Sequence, residues 1–185
     1  MKKAILLSVG FVLCLCSCAL FQHRGQRIAW PEEILYMEAM CDLNMSWKGM
    51  KYSGAMSLVL NYPTQLQMEV YGPFGDTIMF LKKDDDNFLL ATKDERFSDA
   101  NLFENRFGIK IQAFIDDIVM ISKKDGLRGK NFAVQRPDYK VLYTVKDKEN
   151  TICWERQDGK ICIRFLEVKF GQDEDLLDES NNQGV

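Results

Sequence analysis

Six cysteines, one histidine and several runs of acidic side chains are the groups in this 185-residue chain whose types could do chemistry. His23 is the only imidazole, so a catalytic site built on several histidines is excluded, while carboxylate or cysteine chemistry stays open. Cys41, Cys153 and Cys162 have no histidine near them in sequence, which argues against a cysteine–histidine nucleophile. A zinc site would need all three plus a carboxylate gathered from distant segments, unlike a short metal knuckle, so no metal is expected. Asp84-Asp85-Asp86 lacks the alternating oxygen ligands and closing glutamate of a calcium loop and reads as a solvated turn. Asp116-Asp117 suggests acid chemistry only at first sight: adjacent residues splay apart on a helix, and the pair reads as a solvated helix face. Gly72-Pro73-Phe74-Gly75 contains proline and no phosphate-gripping lysine, so it is not a nucleotide loop. The basic and aromatic residues of Arg136-Pro137-Asp138-Tyr139-Lys140 form too short a stretch for a nucleic-acid platform. A formal charge of -3 supplies no basic field, and no nucleic-acid partner is expected. No reaction and no cofactor is implied; the chain reads as a non-enzyme.

The one cysteine with a clear chemical context is Cys18. Met1-Lys2-Lys3 is followed by an apolar stretch over residues 4–15, long enough for a signal-peptide core and short for a stable membrane span. Leu15-Cys16-Ser17-Cys18 then resembles a bacterial lipobox, with an aliphatic residue three positions before the modified cysteine and small residues between. That resemblance implies removal of residues 1–17 and a covalent N-terminal lipid on Cys18, whose acyl chains hold through about 0.8 kcal/mol per buried methylene. An uncleaved anchor and a secreted, unlipidated chain are the alternatives. Ala19 in place of an aspartate favours outer-membrane over inner-membrane residence, with the folded domain facing the periplasm. Cys18, Cys41, Cys153 and Cys162 survive cleavage. With Cys18 lipidated, at most one disulfide forms among the other three and one thiol is left over.

Positioning falls to a chain that is 46% hydrophobic with only 4 prolines, enough for one domain. Residues 18–30 read as the lipidated N-terminus and tether, 31–171 as the domain and 172–185 as a flexible acidic and polar tail. Pro31-Glu32-Glu33 suits the opening of a short helix. Ala39, Cys41, Leu43, Met45 and Trp47 then alternate with polar residues, the period of a half-buried strand. Met56, Leu58 and Leu60 share one face of a second strand, and Leu66, Met68 and Val70 one face of a third. Residues 77–81 and 88–92 continue an antiparallel meander around a charged turn at 82–87. Ser98 or Asp99 can cap a helix ending at Phe107, with Leu102, Phe103 and Phe107 as its apolar contacts. Residues 112–121 fit a second helix through Phe114, Ile115, Ile118, Val119 and Ile121, although strand periodicity competes there. Residues 123–130 form a loop. Tyr139, Val141, Tyr143 and Val145 return the chain to β structure, and Asp158-Gly159 predicts a hairpin joining residues 150–156 to 160–170. That turn makes Cys153 and Cys162 diagonal neighbours, so a disulfide between them needs a small register shift. The fold class is mainly β with α: a curved antiparallel sheet with helices over its apolar face.

Leu66-Gln67-Met68-Glu69-Val70-Tyr71-Gly72-Pro73-Phe74-Gly75-Asp76-Thr77-Ile78-Met79-Phe80-Leu81 runs an amphipathic strand through a proline–glycine loop carrying a large hydrophobe into an apolar strand. Together with Phe107-Gly108-Ile109-Lys110-Ile111 ahead of Phe114 to Ile118, this segment resembles the outer-membrane lipoprotein receptor family, the LolB-like proteins. The resemblance spans residues 43–119 and loosens beyond Lys130. It implies an unclosed half-barrel enclosing a hydrophobic cavity, with Met45, Trp47, Met56, Leu58, Met68, Val70 and Met79 as candidate walls; ordinary packing is the alternative for each. It also implies a monomeric receptor that takes acylated lipoproteins from a periplasmic carrier and delivers them to outer-membrane lipids without covalent chemistry. Gly72, Pro73, Phe74 and Gly75 would be its membrane insertion loop, with Phe74 standing where the prototype has leucine; the alternative is that Phe74 folds back onto the sheet as core. The competing reading is a structural or envelope-assembly lipoprotein whose β domain binds a protein partner.

Overall fold

Apolar side chains at every second position need a partner surface on one side only, and the first strand meets that need along its whole length. β1 (Tyr36–Trp47) buries Met37, Ala39, Cys41, Leu43 and Trp47 while Glu38, Met40 and Asn44 face outward. The computed structural model describes residues 28–122, 131–146 and 149–171. Residues 1–17, Cys18 and the tether to Arg27, the loop at 123–130 and the tail at 172–185 lie outside the described residues.

The meander continues through β2 (Met50–Asn61), β3 (Gln65–Tyr71), β4 (Thr77–Asp84), β5 (Asn87–Thr92) and a two-residue β6 (Arg96–Phe97). After the helices come β7 (Phe132–Gln135), β8 (Lys140–Lys146), β9 (Glu149–Arg156) and β10 (Gly159–Gly171). All ten join one antiparallel sheet in the order β6-β5-β4-β3-β2-β1-β10-β9-β8-β7. β6 and β7 do not pair, so the sheet is unclosed. β10 supplies the bend beside β1: Met40 pairs with Glu167 and Cys41 with Phe165, leaving Leu166 as an extra residue. Such a bulge increases local twist and switches the strand's facing. Ile161, Ile163 and Phe165 point inward before it, and Val168 and Phe170 pack on the core after it.

Two short helices lie against the concave face. α1 (Ala100–Phe107) is capped by Asp99, whose carboxylate accepts from the Asn101 amide at 2.8 Å. It ends at Gly108 in the left-handed conformation (φ 62°), where a Cβ would stand 1.1 Å from an Arg156 nitrogen. α2 (Ile111–Val119) resolves the competition between periods in favour of a helix, burying Phe114, Ile115, Ile118 and Val119.

Several expectations are corrected. Residues 31–33 form a bend rather than a helix, and Trp30, assigned to the tether, is 7% exposed and stacks edge-on against Phe165 and Phe170. Leu102 is 43% exposed, because the helix presents Phe103 and Phe107 inward instead. β4 runs on to Asp84, shrinking the charged turn to Asp85 and Asp86. The last hairpin turns at Gln157 and Asp158, with Arg156 opposite Gly159, one residue earlier than expected. That single step puts Cys162 directly opposite Cys153, and the two form a disulfide. Cys41 is the remaining thiol among the described residues, buried under the sheet.

The disulfide links positions 9 residues apart on adjacent strands. Closing so short a loop restricts the unfolded chain by about 2–3 kcal/mol. The double variant Cys153→Ala/Cys162→Ala is expected to unfold at lower urea than the oxidised parent, and reductant should bring the parent to the same midpoint. Coincident curves in the oxidised state would show that the bridge adds no stability.

Candidate functional site

The loop after β3 presents one large apolar side chain to solvent. Pro73 occupies the second position of a tight turn, where its fixed φ is preorganised. The Gly75 amide donates to the Gly72 carbonyl at 3.0 Å, and Gly75 takes a φ of 83° that other residues resist. A second bond from the Gly72 amide to the Asp76 carbonyl, 2.7 Å, closes the base. Beyond it Ile78 is an extra residue between paired strands, since Val70 faces Met79 and Tyr71 faces Thr77. Phe74 at the tip is 96% exposed, against 40–44% for the other exposed large hydrophobes among the described residues. The alternative in which its ring folds back onto the sheet is thereby overturned.

The concave side is nearly filled. Met45, Met68 and Met79 border a wholly apolar void of about 40 Å³ together with Leu43, Leu81, Leu90 and the rings of Phe103, Phe107 and Phe114. Ligand pockets commonly measure roughly 300–1,000 Å³, so this void is far smaller than an acyl-binding site needs. Four of the expected wall residues, Trp47, Met56, Leu58 and Val70, are at most 1% exposed and do not border the void. They are core. Trp47 also donates through its indole N–H to the Arg106 carbonyl at 3.1 Å, fastening the end of α1.

α1 and α2 are held differently. α1 lies against β5 through Phe88 and Phe103, with ring centroids 6.0 Å apart, and carries a half-exposed ion pair from Arg106 to Glu95. α2 is pinned by a buried charge. Asp117 has no exposed surface, and its Oδ1 accepts from Arg136 Nε at 3.1 Å and Nη2 at 2.6 Å. Its Oδ2 accepts from the Tyr139 hydroxyl and the Trp154 indole, each at 3.0 Å, while the Tyr143 hydroxyl donates to its backbone carbonyl at 2.9 Å. Phe114 stacks on Trp154 at 4.4 Å beside this cluster. The solvated reading of the pair survives only in part: Asp116 is half-buried and accepts from Gln112, whereas Asp117 is a buried hub. The signal was present in the helical spacing, since Asp117 stands three residues after Phe114 and four before Ile121, within the apolar arc. Its partners Arg136 and Tyr139 come from the segment weighed as a nucleic-acid patch.

This cluster is saturated: no buried side-chain nitrogen or oxygen among the described residues lacks a partner. It therefore reads as a fastening, without a free group for catalysis. Burial, and then the Asp42 charge, push the Cys41 thiol up, so it stays protonated and packs as an apolar group. Among the described residues no group of histidine, cysteine or carboxylate side chains could hold a metal ion, and no helix is long and apolar enough to cross a membrane. Cys18 lies outside the described residues.

Removing the hub carboxylate leaves a partly buried guanidinium, a phenol and an indole without their acceptor, a loss of about 3–5 kcal/mol for a buried pair. Asp117→Ala is expected to lower stability to urea by that order and to speed amide exchange in α2 more than in α1; equal effects on both helices would contradict selective pinning. The tyrosines add a pH dependence. Burial first, and the Asp117 charge next, push the Tyr139 and Tyr143 phenols above their ordinary value. The folded state thus holds these protons more tightly, so their contribution is intact below about pH 10 and is lost as pH rises beyond it. Melting temperatures measured through that range should fall more steeply in the parent than in Tyr139→Phe.

No protein-family model matches this chain and no curated protein is significantly similar to it.

Proposed function

We propose that this protein is an outer-membrane lipoprotein receptor, anchored by lipid on Cys18, that accepts acylated lipoproteins from a periplasmic carrier and passes them to the bilayer. The observation that carries the reading is Phe74, 96% exposed on a turn built to present it. A ring held in water by Pro73 and Gly75 has no folding purpose, and moving it into an apolar phase gains about 1.5–3 kcal/mol. That bias favours membrane contact during discharge without anchoring the protein by itself. The Cys153–Cys162 disulfide supports export, because such bonds persist in oxidising compartments.

Acceptance of an acyl chain requires the interior to enlarge from its small void. α1 is the element that yields, because ring packing, a half-exposed ion pair and a single indole bond at its end hold it, whereas α2 stays pinned by the several bonds to Asp117. Met45, Met68 and Met79 then form a compliant wall, since unbranched thioether side chains adapt to variable shapes. The nearly filled interior equally favours a second reading, an envelope-assembly lipoprotein that docks a protein partner on its surface and never opens.

Transfer of a triacylated lipoprotein from its soluble carrier to the unlipidated protein separates the two. The receptor reading expects saturable acceptance by the parent. With Phe74→Glu it expects acceptance to persist and release to liposomes to fall about tenfold or more. A folded protein that takes no cargo from an active carrier ends the receptor reading and favours the assembly role.

A further inference from the structure

The strand tips at the two ends of the sheet differ in chemistry. One end is marked by Trp47 and carries the turns after β1, β3, β5, β7 and β9; the other is marked by Tyr36 and carries the turns after β2, β4 and β8. Phe74 belongs to the Trp47 end, and so does Met50, 43% exposed at the tip of the β1–β2 hairpin. The hairpin overhangs its neighbour, because β3 reaches only as far as Met56 along β2. It is also joined to the Phe74 loop: the Tyr52 hydroxyl donates to the Tyr71 carbonyl at the loop's base, and a Cβ on Gly54 would lie 3.1 Å from that same oxygen. The Asp76 charge, after burial, helps push the Tyr52 phenol up, a further sign that hairpin and loop are neighbours.

Charge divides the same way. Lys48 and Lys51 flank the hairpin tip and are exposed. Across from it, the Lys48 amide donates to the Asp158 carbonyl, bringing the β9–β10 turn with Arg156 and Lys160 alongside. Asp76, Glu155 and Asp158 are the acids at these tips, and Glu155 is already paired with Lys160 at 2.6 Å. Lys93 and Arg96 balance Asp94 and Glu95 in the turn after β5, and Asp138 stands with Lys140 after β7, where Arg136 is already paired with Asp117. The Tyr36 end is acidic instead. Asp85 and Asp86 form the β4–β5 turn after Asp84 at the end of β4, with Glu32, Glu33 and Glu149 at neighbouring tips, against Lys82, Lys83 and Lys146.

We infer that the β1–β2 hairpin tip, with Met50 between Lys48 and Lys51, is a second lipid-contacting element beside the Phe74 loop, and that the two form one docking surface for an anionic lipid membrane. The inference rests on the receptor reading and names the surface that meets the bilayer. Apolar side chains enter the hydrocarbon boundary while the flanking ammonium groups meet headgroup phosphates, each lysine contributing a factor of about five in binding. The acidic opposite end is repelled, so the field orients the domain before contact.

The test is vesicle binding by the chain from residue 18 onward carrying Cys18→Ser, which keeps every described residue and removes the lipid. The probes are vesicles of zwitterionic phosphatidylcholine alone and vesicles that also contain anionic phosphatidylglycerol. The parent should prefer the anionic vesicles and lose that preference as salt is raised. Met50→Ser should weaken binding to both vesicle types several-fold, while Lys48→Glu with Lys51→Glu should abolish only the anionic preference. All of these side chains are exposed, and unchanged melting temperatures would confirm that folding is intact. Loss on Phe74→Ser with no effect of the hairpin variants overturns the inference and leaves the receptor reading standing on Phe74 alone. Binding by the parent to neither vesicle, or binding abolished by Leu35→Ser at the opposite end, also overturns it. Cargo acceptance from the carrier, measured separately, then decides the receptor reading.

Discussion

A sheet whose edge strands, β6 and β7, do not pair leaves its concave apolar face without a wall, and covering that face is the requirement the remaining elements serve. β6 contributes two residues and β7 four, so neither edge offers a long template for another strand. The gap is filled from inside. Phe103 and Phe107 of α1 approach to 4.8 Å between centroids, and Phe114 of α2 lies 6.2 Å from Phe103. This aromatic row bridges the β5 side to the β9 side, where Phe114 meets Trp154. Rings suit the task because each covers a large apolar area with few torsions to immobilise.

Apolar contact is non-directional and cannot by itself fix how a short helix sits on a curved surface. Asp117 supplies the direction. Its two carboxylate oxygens have donors from β9 and from the segment between β7 and β8, and its backbone carbonyl has one from β8, so one residue specifies the position of α2 against three parts of the chain. Burying a carboxylate is unfavourable unless every lone pair is matched, and here the match is complete. α1 has one such bond, from the Trp47 indole to the Arg106 carbonyl, and its connection to α2 passes through Gly108, whose positive φ lets the chain reverse within a few residues. The helical layer therefore has one fixed and one less constrained member, an asymmetry that suits an interior opened from one side.

Much of this architecture is legible in the sequence, because period and burial are tied together. The alternation from Ala39 to Trp47 gives the strand and its inward face at once, and the spacing of Phe114, Ile115 and Ile118 gives the helix and its buried side. What escapes depends on tertiary partners. Gln157-Asp158 and Asp158-Gly159 are both acceptable turns in isolation; pairing of β10 with both β1 and β9 selects the first and brings Cys153 opposite Cys162. The buried role of Asp117 needed Arg136 and Tyr139, 19 and 22 residues away and meaningless until β7 and β8 are folded. The wall residues Trp47, Met56, Leu58 and Val70 point inward as their pattern requires. Inward-facing is not the same as cavity-lining, since that depends on how far the helices fill the space.

The placement of the chain's entrance constrains how the protein proposed above would meet a membrane. Trp30 leads into the Tyr36 end, its indole donating to Asn150 at 2.9 Å, while Phe74 and Met50 occupy the other end of the strands. β1 alone rises about 37 Å between those ends. If Cys18 carries the lipid, about a dozen residues separate the membrane from Trp30, a reach of at most about 40 Å when fully drawn out. An upright domain with its acidic end toward the anchor would hold Phe74 far from that bilayer. Contact of the lipid and the Phe74 tip with one membrane therefore requires the strands to lie along its surface, or the tether to run nearly straight past the sheet. With the strands along the surface, the Met50 hairpin and the Phe74 loop would reach the bilayer together, since both stand at the Trp47 end of the sheet.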